Sequence, residues 1–222
     1  MLFSLLLLLV LVFAWPKLLL WLNQPIKRVE VHAPFRFLHK DRVESVLKPF
    51  LRQHFFQLDL KGLQEALLEE AWVKEVSFSK DWPDRLTVSL EEKEPVARWY
   101  ERQLITGDGD IFSPSDVGHF SELPVLKGPQ SQAQAVMLQY LAISQLLRPL
   151  GLSVSELELG RTGAWQFNIG DIQVYLGRDE RMERLQRFVR LYHARLESEW
   201  HSVKRIDLRY SNGAAVAWRG SK

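Results

Sequence analysis

The hydrophobic pattern of the chain begins with a long apolar segment. Residues 2–22 are apolar except for Ser4, Pro16 and Lys17. Because about 20 apolar residues in a helix cross a bilayer, residues 1–22 predict one transmembrane anchor. The segment lacks the basic start and the small-residue cleavage site of a signal peptide, which favours an anchor that is not cleaved.

The charges beside this anchor conflict with the usual orientation rule. Lys27 and Arg28 follow the span and no basic residue precedes it, whereas basic residues normally flank the cytoplasmic side. A basic cytoplasmic tail before Met1, hidden by a start codon assigned too late, would remove the conflict. The intact mass of the native protein tests this hypothesis, because a mass that begins at Met1 excludes the tail.

Periodic segments follow the anchor in the order strand, helix, helix, strand, strand. Alternating apolar and polar residues indicate the strands, and apolar residues at i, i+3, i+4 and i+7 indicate the helices. Asp59 stands where its carboxylate would cap the second helix. The segments are Ile26–Val31, Val43–Phe50, Asp59–Leu67, Val73–Lys80 and Arg85–Glu92. This order predicts a two-layer unit over residues 23–93, with two helices on a three-stranded sheet.

From residue 94 onward the pattern changes to shorter strands and turns with two helices. Ile105–Phe112 predicts a hairpin, in which a Gly-Asp-Gly-Asp turn separates two apolar pairs. Further strands are predicted at Val154–Leu159, Ala164–Ile169, Asp171–Leu176 and within residues 203–218. Residues 94–222 therefore predict a mixed, mainly antiparallel sheet with two helices, and the whole chain an α+β protein.

Both helices of this second half have start signals. Ser131 and Gln134 have the spacing of a capping box before the first helix, and Gly151 stands where a left-handed residue would end it. Asp179 is the predicted cap of the second helix, on which Glu183 and Arg187 have the spacing of a surface ion pair.

Composition excludes several classes of function. The 29 basic and 27 acidic residues are interleaved and leave a net charge of +2, which argues against a nucleic-acid-binding surface. The chain has no cysteine, so disulfides, thiolate metal sites and a cysteine nucleophile are excluded.

No catalytic motif is present in the sequence. The chain lacks a GxSxG elbow, an HExxH pair, a Walker loop and a dinucleotide-binding glycine motif, and its six histidines are scattered. His201, Asp207 and Ser211 lie near one another in sequence, but a catalytic triad is defined by geometry. We therefore expect no enzymatic activity, metal, cofactor or small-molecule substrate.

The segment RIDLRYSNGAAVAW, from Arg205 to Trp218, has side chains too small to fill much core. In one interpretation it is the last strand of a sheet, with Tyr210 and Trp218 as ordinary core residues. In the other it is a sheet edge to which a peptide adds by main-chain hydrogen bonds, with alternate side chains supplying specificity. Periodicity alone favours the core interpretation.

Several motifs in this order resemble the FtsQ/DivIB family of bacterial cell-division proteins. The segment Trp72–Trp99, which contains a Trp-Pro-Asp turn and closes on Glu-Pro-Val-Ala-Arg-Trp, resembles the end of a POTRA domain in that family. The other motifs are LITGDGDIF, LPVLKGP, LGRDERMERLQRFVRLY and IDLRYSNGAAVAW. POTRA domains also occur in outer-membrane assembly and secretion proteins, so a component of that kind is the alternative function.

The resemblance implies a single-pass inner-membrane protein that acts at the division septum. Residues 1–22 would be its anchor, 23–93 its POTRA domain and 94–222 its β domain, the last two in the periplasm. Such a protein recruits and regulates the septal peptidoglycan machinery by binding the coiled-coil proteins FtsB and FtsL, and it is not an enzyme.

The resemblance also places the FtsB-binding surface on the last strand and so reverses the order of the two interpretations. Arg209 would pair with an acidic group of the partner, Tyr210 and Trp218 would be aromatic anchors, and Arg161 would be a further basic contact. Backbone groups would come from Gly213, Ala214, Ala215, Val216 and Ala217.

Overall fold

The computed structural model describes residues 24–220, so the predicted anchor at residues 1–22 lies outside the described residues. No helix within residues 24–220 is both long enough and apolar enough to cross a membrane. The chain divides between Lys93 and Glu94 into two compact units. We describe them separately as the N-terminal unit, residues 24–93, and the C-terminal unit, residues 94–220.

The N-terminal unit is a three-stranded sheet with two helices. Its elements are β1 Arg28–His32, α1 Lys40–Leu47, α2 Leu60–Leu68, β2 Val73–Asp81 and β3 Arg85–Glu92. Strand β3 is central, parallel to β1 and antiparallel to β2. The predicted order of strands and helices is confirmed.

Local chemistry and side-chain period explain this unit. The Gly62 amide donates a hydrogen bond of 2.9 Å to the Asp59 carboxylate, which confirms the predicted cap of α2. Leu63 and Leu67 lie on one face of α2, and Leu86 and other alternate residues of β3 are buried in the same core. Helix and sheet therefore bury one apolar face each.

The C-terminal unit contains nine strands and two helices among its described residues. They are β4 Pro95–Trp99, β5 Gln103–Thr106, β6 Ile111–Phe112, β7 Val125–Lys127, α3 Ala133–Leu147, β8 Val154–Leu159, β9 Trp165–Ile169, β10 Ile172–Gly177, α4 Arg181–Leu191, β11 Val203–Asp207 and β12 Ala215–Trp218. A π-helical turn, Tyr192–Leu196, extends α4.

All nine strands form one mixed sheet in the order β12-β11-β10-β9-β8-β7-β4-β5-β6. The pairs β10–β11, β7–β8 and β4–β7 are parallel and the others antiparallel. Helices α3 and α4 contact each other and bury their apolar stripes in one core with the sheet, around Met137, Phe167 and Phe188. The α+β class predicted from the sequence is confirmed.

The predicted capping box of α3 is wrong. A 3₁₀ turn, Gln130–Gln132, follows Pro129 and carries Ser131 inside it, so the N-cap is Gln132 and no side chain caps the helix. The hydroxyl of Ser131 is therefore not placed at the free amides of α3. The other end agrees with prediction, because Gly151 has φ 70° after a short 3₁₀ turn.

The predicted start of α4 is also wrong. Glu180 is the N-cap in a left-handed conformation (φ 52°), which puts Asp179 one residue too early to cap. Arg187 forms no ion pair with Glu183, because its guanidinium donates to backbone carbonyl groups of the chain segment after β11.

Candidate interaction site at the last strand

Strand β12 is one edge of the nine-stranded sheet. It is antiparallel to β11, with Ile206 opposite Val216 and Arg205 opposite Ala217. In the part of the chain that the structure describes, no strand lies on its other side. An edge of this kind presents backbone donors and acceptors that another strand can pair with.

Hydrogen bonding shows which backbone groups point to the open edge. Arg219, directly after β12, donates its amide to the Ser202 carbonyl at 2.7 Å, toward β11. Backbone groups alternate in direction along an antiparallel strand. Ala217 and Ala215 therefore direct their amide and carbonyl groups to β11, and Val216 directs its own to the open edge.

The two faces of β12 have different neighbours. Ala214, Val216 and Trp218 pack against the core that contains α3 and α4. Ala215 and Ala217 lie on the opposite face, which we call the open face. Strand β12 thus contributes little side-chain volume to the core, because only alternate residues face the core and because the strand lies at the edge of the sheet.

A cleft of about 400 Å³ lies on the open face, and Ala215, Val216 and Ala217 line it. The methyl groups of the two alanines are too small to fill the space between β11 and the open edge. Longer side chains border it, from Tyr175, Arg205, Asp207, Arg209 and Tyr210.

Arg209 and Asp207 form an ion pair within the chain. The Arg209 guanidinium donates to both Asp207 oxygens, at 2.9 and 2.6 Å, and lies over the Tyr175 ring at 5.1 Å. These hydrogen bonds from Arg209 lower the pKa of Asp207 below its usual value, and Asp207 in turn raises the pKa of Arg209. An acidic partner group expected to pair with Arg209 would compete with Asp207 for it.

Tyr210 and Trp218 differ in environment. Tyr210 is 60% exposed, so it is not a core residue. Trp218 is half-buried and packs against the core, at the end of β12. Each side chain combines aromatic area with access to a partner, which is the property of residues that dominate interface energies.

The segment between β11 and β12 is held by Arg187 of α4. The Arg187 guanidinium donates to the carbonyl groups of Leu208, Tyr210 and Ser211, at 3.0, 2.8 and 2.6 Å. Gly213 does not have a positive φ, so the Asn-Gly pair is not the type I′ turn of a tight hairpin. Three charge-assisted hydrogen bonds therefore replace a tight turn in fixing this segment.

Arg161 lies in the exposed turn between β8 and β9. This turn is at the end of the sheet where β10 and β11 finish, since Trp165 pairs with Gly177 and Tyr175 with Asp207. Arg161 thus shares one end of the sheet with Arg209 and is separated from it by β9 and β10. No described contact joins the two side chains.

Several residues that shape this site cannot be recognised from the sequence alone. Arg187 has the spacing of a surface ion pair, and its real acceptors are more than twenty residues away. Tyr175 and Arg205 border the cleft only because β10, β11 and β12 are neighbours. Their alternation on the strands was visible in the sequence, but the order of the strands was not.

The described chain thus consists of a small two-helix, three-stranded unit and a mixed sheet whose last strand is an edge strand within residues 24–220. No group of three or more His, Asp or Glu side chains within residues 24–220 is placed to hold a metal ion. Two family models match the chain, the POTRA domain of FtsQ type at residues 24–93 and the C-terminal domain of cell division protein FtsQ/DivIB at residues 97–209. The chain belongs to the FtsQ/DivIB family of cell-division proteins.

Individual relatives agree with the family models. The chain is 37% identical to cell division protein FtsQ of Cellvibrio japonicus over 198 residues, which are 89% of this chain and 62% of that relative. It is 33% identical to cell division protein FtsQ of Coxiella burnetii over 196 residues, 88% of this chain and 81% of that relative. The same protein of Hahella chejuensis is 32% identical over 200 residues, 90% of this chain and 72% of that relative.

Proposed function

We propose that the chain is a non-enzymatic scaffold of the divisome that binds FtsB, together with FtsL, through the open edge of β12. In this proposal residues 1–22 anchor it in the inner membrane and both units act in the periplasm at the division septum. The protein links early and late division proteins and so controls septal peptidoglycan synthesis.

One observation carries the proposal: β12 is an open sheet edge in a family of cell-division proteins. The backbone amide and carbonyl groups of Ala215 and Ala217 already pair with β11. Those of Val216, between them, point to the side where a strand would add. The methyl groups of both alanines leave room for side chains of that strand. Strand addition of this kind obtains affinity from main-chain hydrogen bonds.

Aromatic and basic side chains flank the edge. Tyr210 precedes β12 and Trp218 ends it, so both ends of an added strand would meet aromatic area. Arg209 and Arg161 stand at the end of the sheet where β12 begins, with Arg209 partly occupied by Asp207. These residues, with Gly213 to Ala217 as backbone, are the proposed FtsB-binding residues.

No observation favours the alternative functions. The family models name cell division, so a role in outer-membrane assembly or secretion has no support. Both carboxylate oxygens of Asp207 accept hydrogen bonds from Arg209, so Asp207 is not available to orient a histidine.

The test is the affinity of the full chain, in detergent micelles, for FtsB from the same cells. Tyr210→Glu places a charge at a residue that is 60% exposed, so it should leave the fold intact and weaken binding about 100-fold, as expected of an aromatic interface anchor. Leu138→Glu on α3 is the matched control, because Leu138 is also 60% exposed and lies away from β12. Equal affinity of both variants would refute the proposed site.

A further inference from the structure

Among the charged groups that border the open-face cleft, Arg205 is the one whose side chain makes no hydrogen bond or ion pair. Asp207 and Arg209 neutralise each other through two hydrogen bonds. The Arg205 side chain is exposed and makes no hydrogen bond or ion pair to any residue of the described chain, and after Arg209 its charge is a further cause of the lowered pKa of Asp207. The cleft therefore holds two cations and one anion, and the excess positive charge belongs to Arg205.

Register places Arg205 relative to an added strand. Arg205 lies directly opposite Ala217, and directly paired residues share one face of a sheet. The residue of an added strand that lies opposite Ala217 would share that face too. Because neighbouring strands are about 4.8 Å apart, its backbone would be about 9.6 Å from that of Arg205.

The small side chain of Ala217 allows Arg205 to reach a side chain of the added strand across this distance. A larger side chain at residue 217 would stand between Arg205 and the added strand, whereas the methyl group of Ala217 leaves that space free. An extended arginine and a carboxylate side chain of the added strand can meet above Ala217. The equivalent contact opposite Ala215 would meet the Asp207–Arg209 pair, which needs no further charge.

We propose that Arg205 is a specificity residue that selects a partner strand with a glutamate or aspartate opposite Ala217 and an uncharged residue opposite Ala215. This inference rests on the proposed function, because it assumes that a strand adds to β12. It assigns the main acid-recognising role to Arg205, which forms no ion pair within the described chain, and not to Arg209, which forms one with Asp207.

The experiment measures the affinity of the full chain in detergent micelles for FtsB from the same cells. Arg205→Glu replaces attraction by repulsion and is expected to weaken binding about 10-fold or more. Lys204→Glu is the matched control, since it makes the same change of charge at the adjacent exposed residue, which does not border the cleft, and should change affinity less than about twofold.

Charge reversal on the partner identifies the contact. Each acidic residue in the β12-binding segment of FtsB is changed singly to lysine, and one of these changes is expected to restore binding to the Arg205→Glu chain. The proposal is overturned if Arg205→Glu binds as well as Lys204→Glu, or if no single reversal restores binding. Tyr210→Glu distinguishes a failure of the proposed function from a failure of the role of Arg205. If Tyr210→Glu also binds like the unaltered chain, the proposed function fails. If Tyr210→Glu loses affinity and Arg205→Glu does not, only the role of Arg205 fails.

Discussion

Replacing Arg187 by alanine removes the three hydrogen bonds that hold the segment between β11 and β12. The carbonyl groups of Tyr210 and Ser211 are exposed and can bond to water after the change. The bond to Leu208 is partly buried, and Leu208 itself is fully buried. The loss of stability should therefore come mainly from the Leu208 carbonyl, because a buried acceptor without a donor costs its full desolvation penalty.

The size of the expected loss of stability depends on which of the three hydrogen bonds are buried. One hydrogen bond from a charged group to a partly buried acceptor contributes about 1.5–3 kcal/mol, and the two exposed bonds add little. We expect the free energy of unfolding of the C-terminal unit to fall by about 2 kcal/mol in Arg187→Ala. Arg187→Lys should lose about half of that, because one ammonium cannot donate to three carbonyl groups at once.

Native-state amide exchange is the suitable assay, because it reports opening free energies residue by residue. Amides of Arg209 to Gly213 should exchange faster in Arg187→Ala than the core of β10 does, and FtsB affinity should fall with them. Arg190→Ala is the control, since Arg190 is an exposed cation one turn further along α4. If both variants change stability by less than about 0.5 kcal/mol, the usual effect of a surface substitution, Arg187 does not hold this segment.

Two other predictions concern the same end of the sheet. Gly177→Ala should lower the free energy of unfolding by about 1–2 kcal/mol, because Gly177 has φ 82° and a Cβ there would collide with the Arg184 guanidinium and come within 3.2 Å of Arg209. Thermal unfolding measures this loss. Gly170→Ala, which has open space around it, should lose less stability. Carboxyl NMR titration should give Asp207 a pKa below its usual value, because Arg209 donates to it. The stability that the Asp207 carboxylate contributes is present above about pH 4 and is lost as the pH falls through its lowered pKa. An unlowered Asp207 pKa in the unaltered chain, or no rise of that pKa in Arg209→Ala, would contradict the Asp207–Arg209 ion pair.

Much of the fold could be predicted because periodicity reports burial directly. The alternation of β3 and the stripe of α2 each need only one apolar face, and both elements formed where the pattern put them. The wrong caps of α3 and α4 depended on single residues, where a 3₁₀ turn or the left-handed Glu180 shifted the start. Local sequence rarely fixes such positions, because turns adapt to the packing of the elements they join.

The candidate site was predictable in type but not in arrangement. Small residues between Tyr210 and Trp218 indicated a place where another backbone could approach, and the family resemblance gave it a partner. Edge position depends on β12 pairing with β11 alone, and the roles of Arg187 and Arg205 depend on strand order. Strand order is set by tertiary packing over long sequence separations, which a single sequence does not show.

The backbone amide of Val216 reports whether a strand of FtsB adds to the open edge of β12. In the free chain this amide points away from β11, so it should exchange with solvent quickly, while the amides of Ala215 and Ala217 are protected. On saturation with FtsB, residue-resolved NMR exchange should show Val216 becoming protected and its two neighbours unchanged. If FtsB binds and the exchange rate of Val216 stays the same, FtsB does not add a strand at this edge.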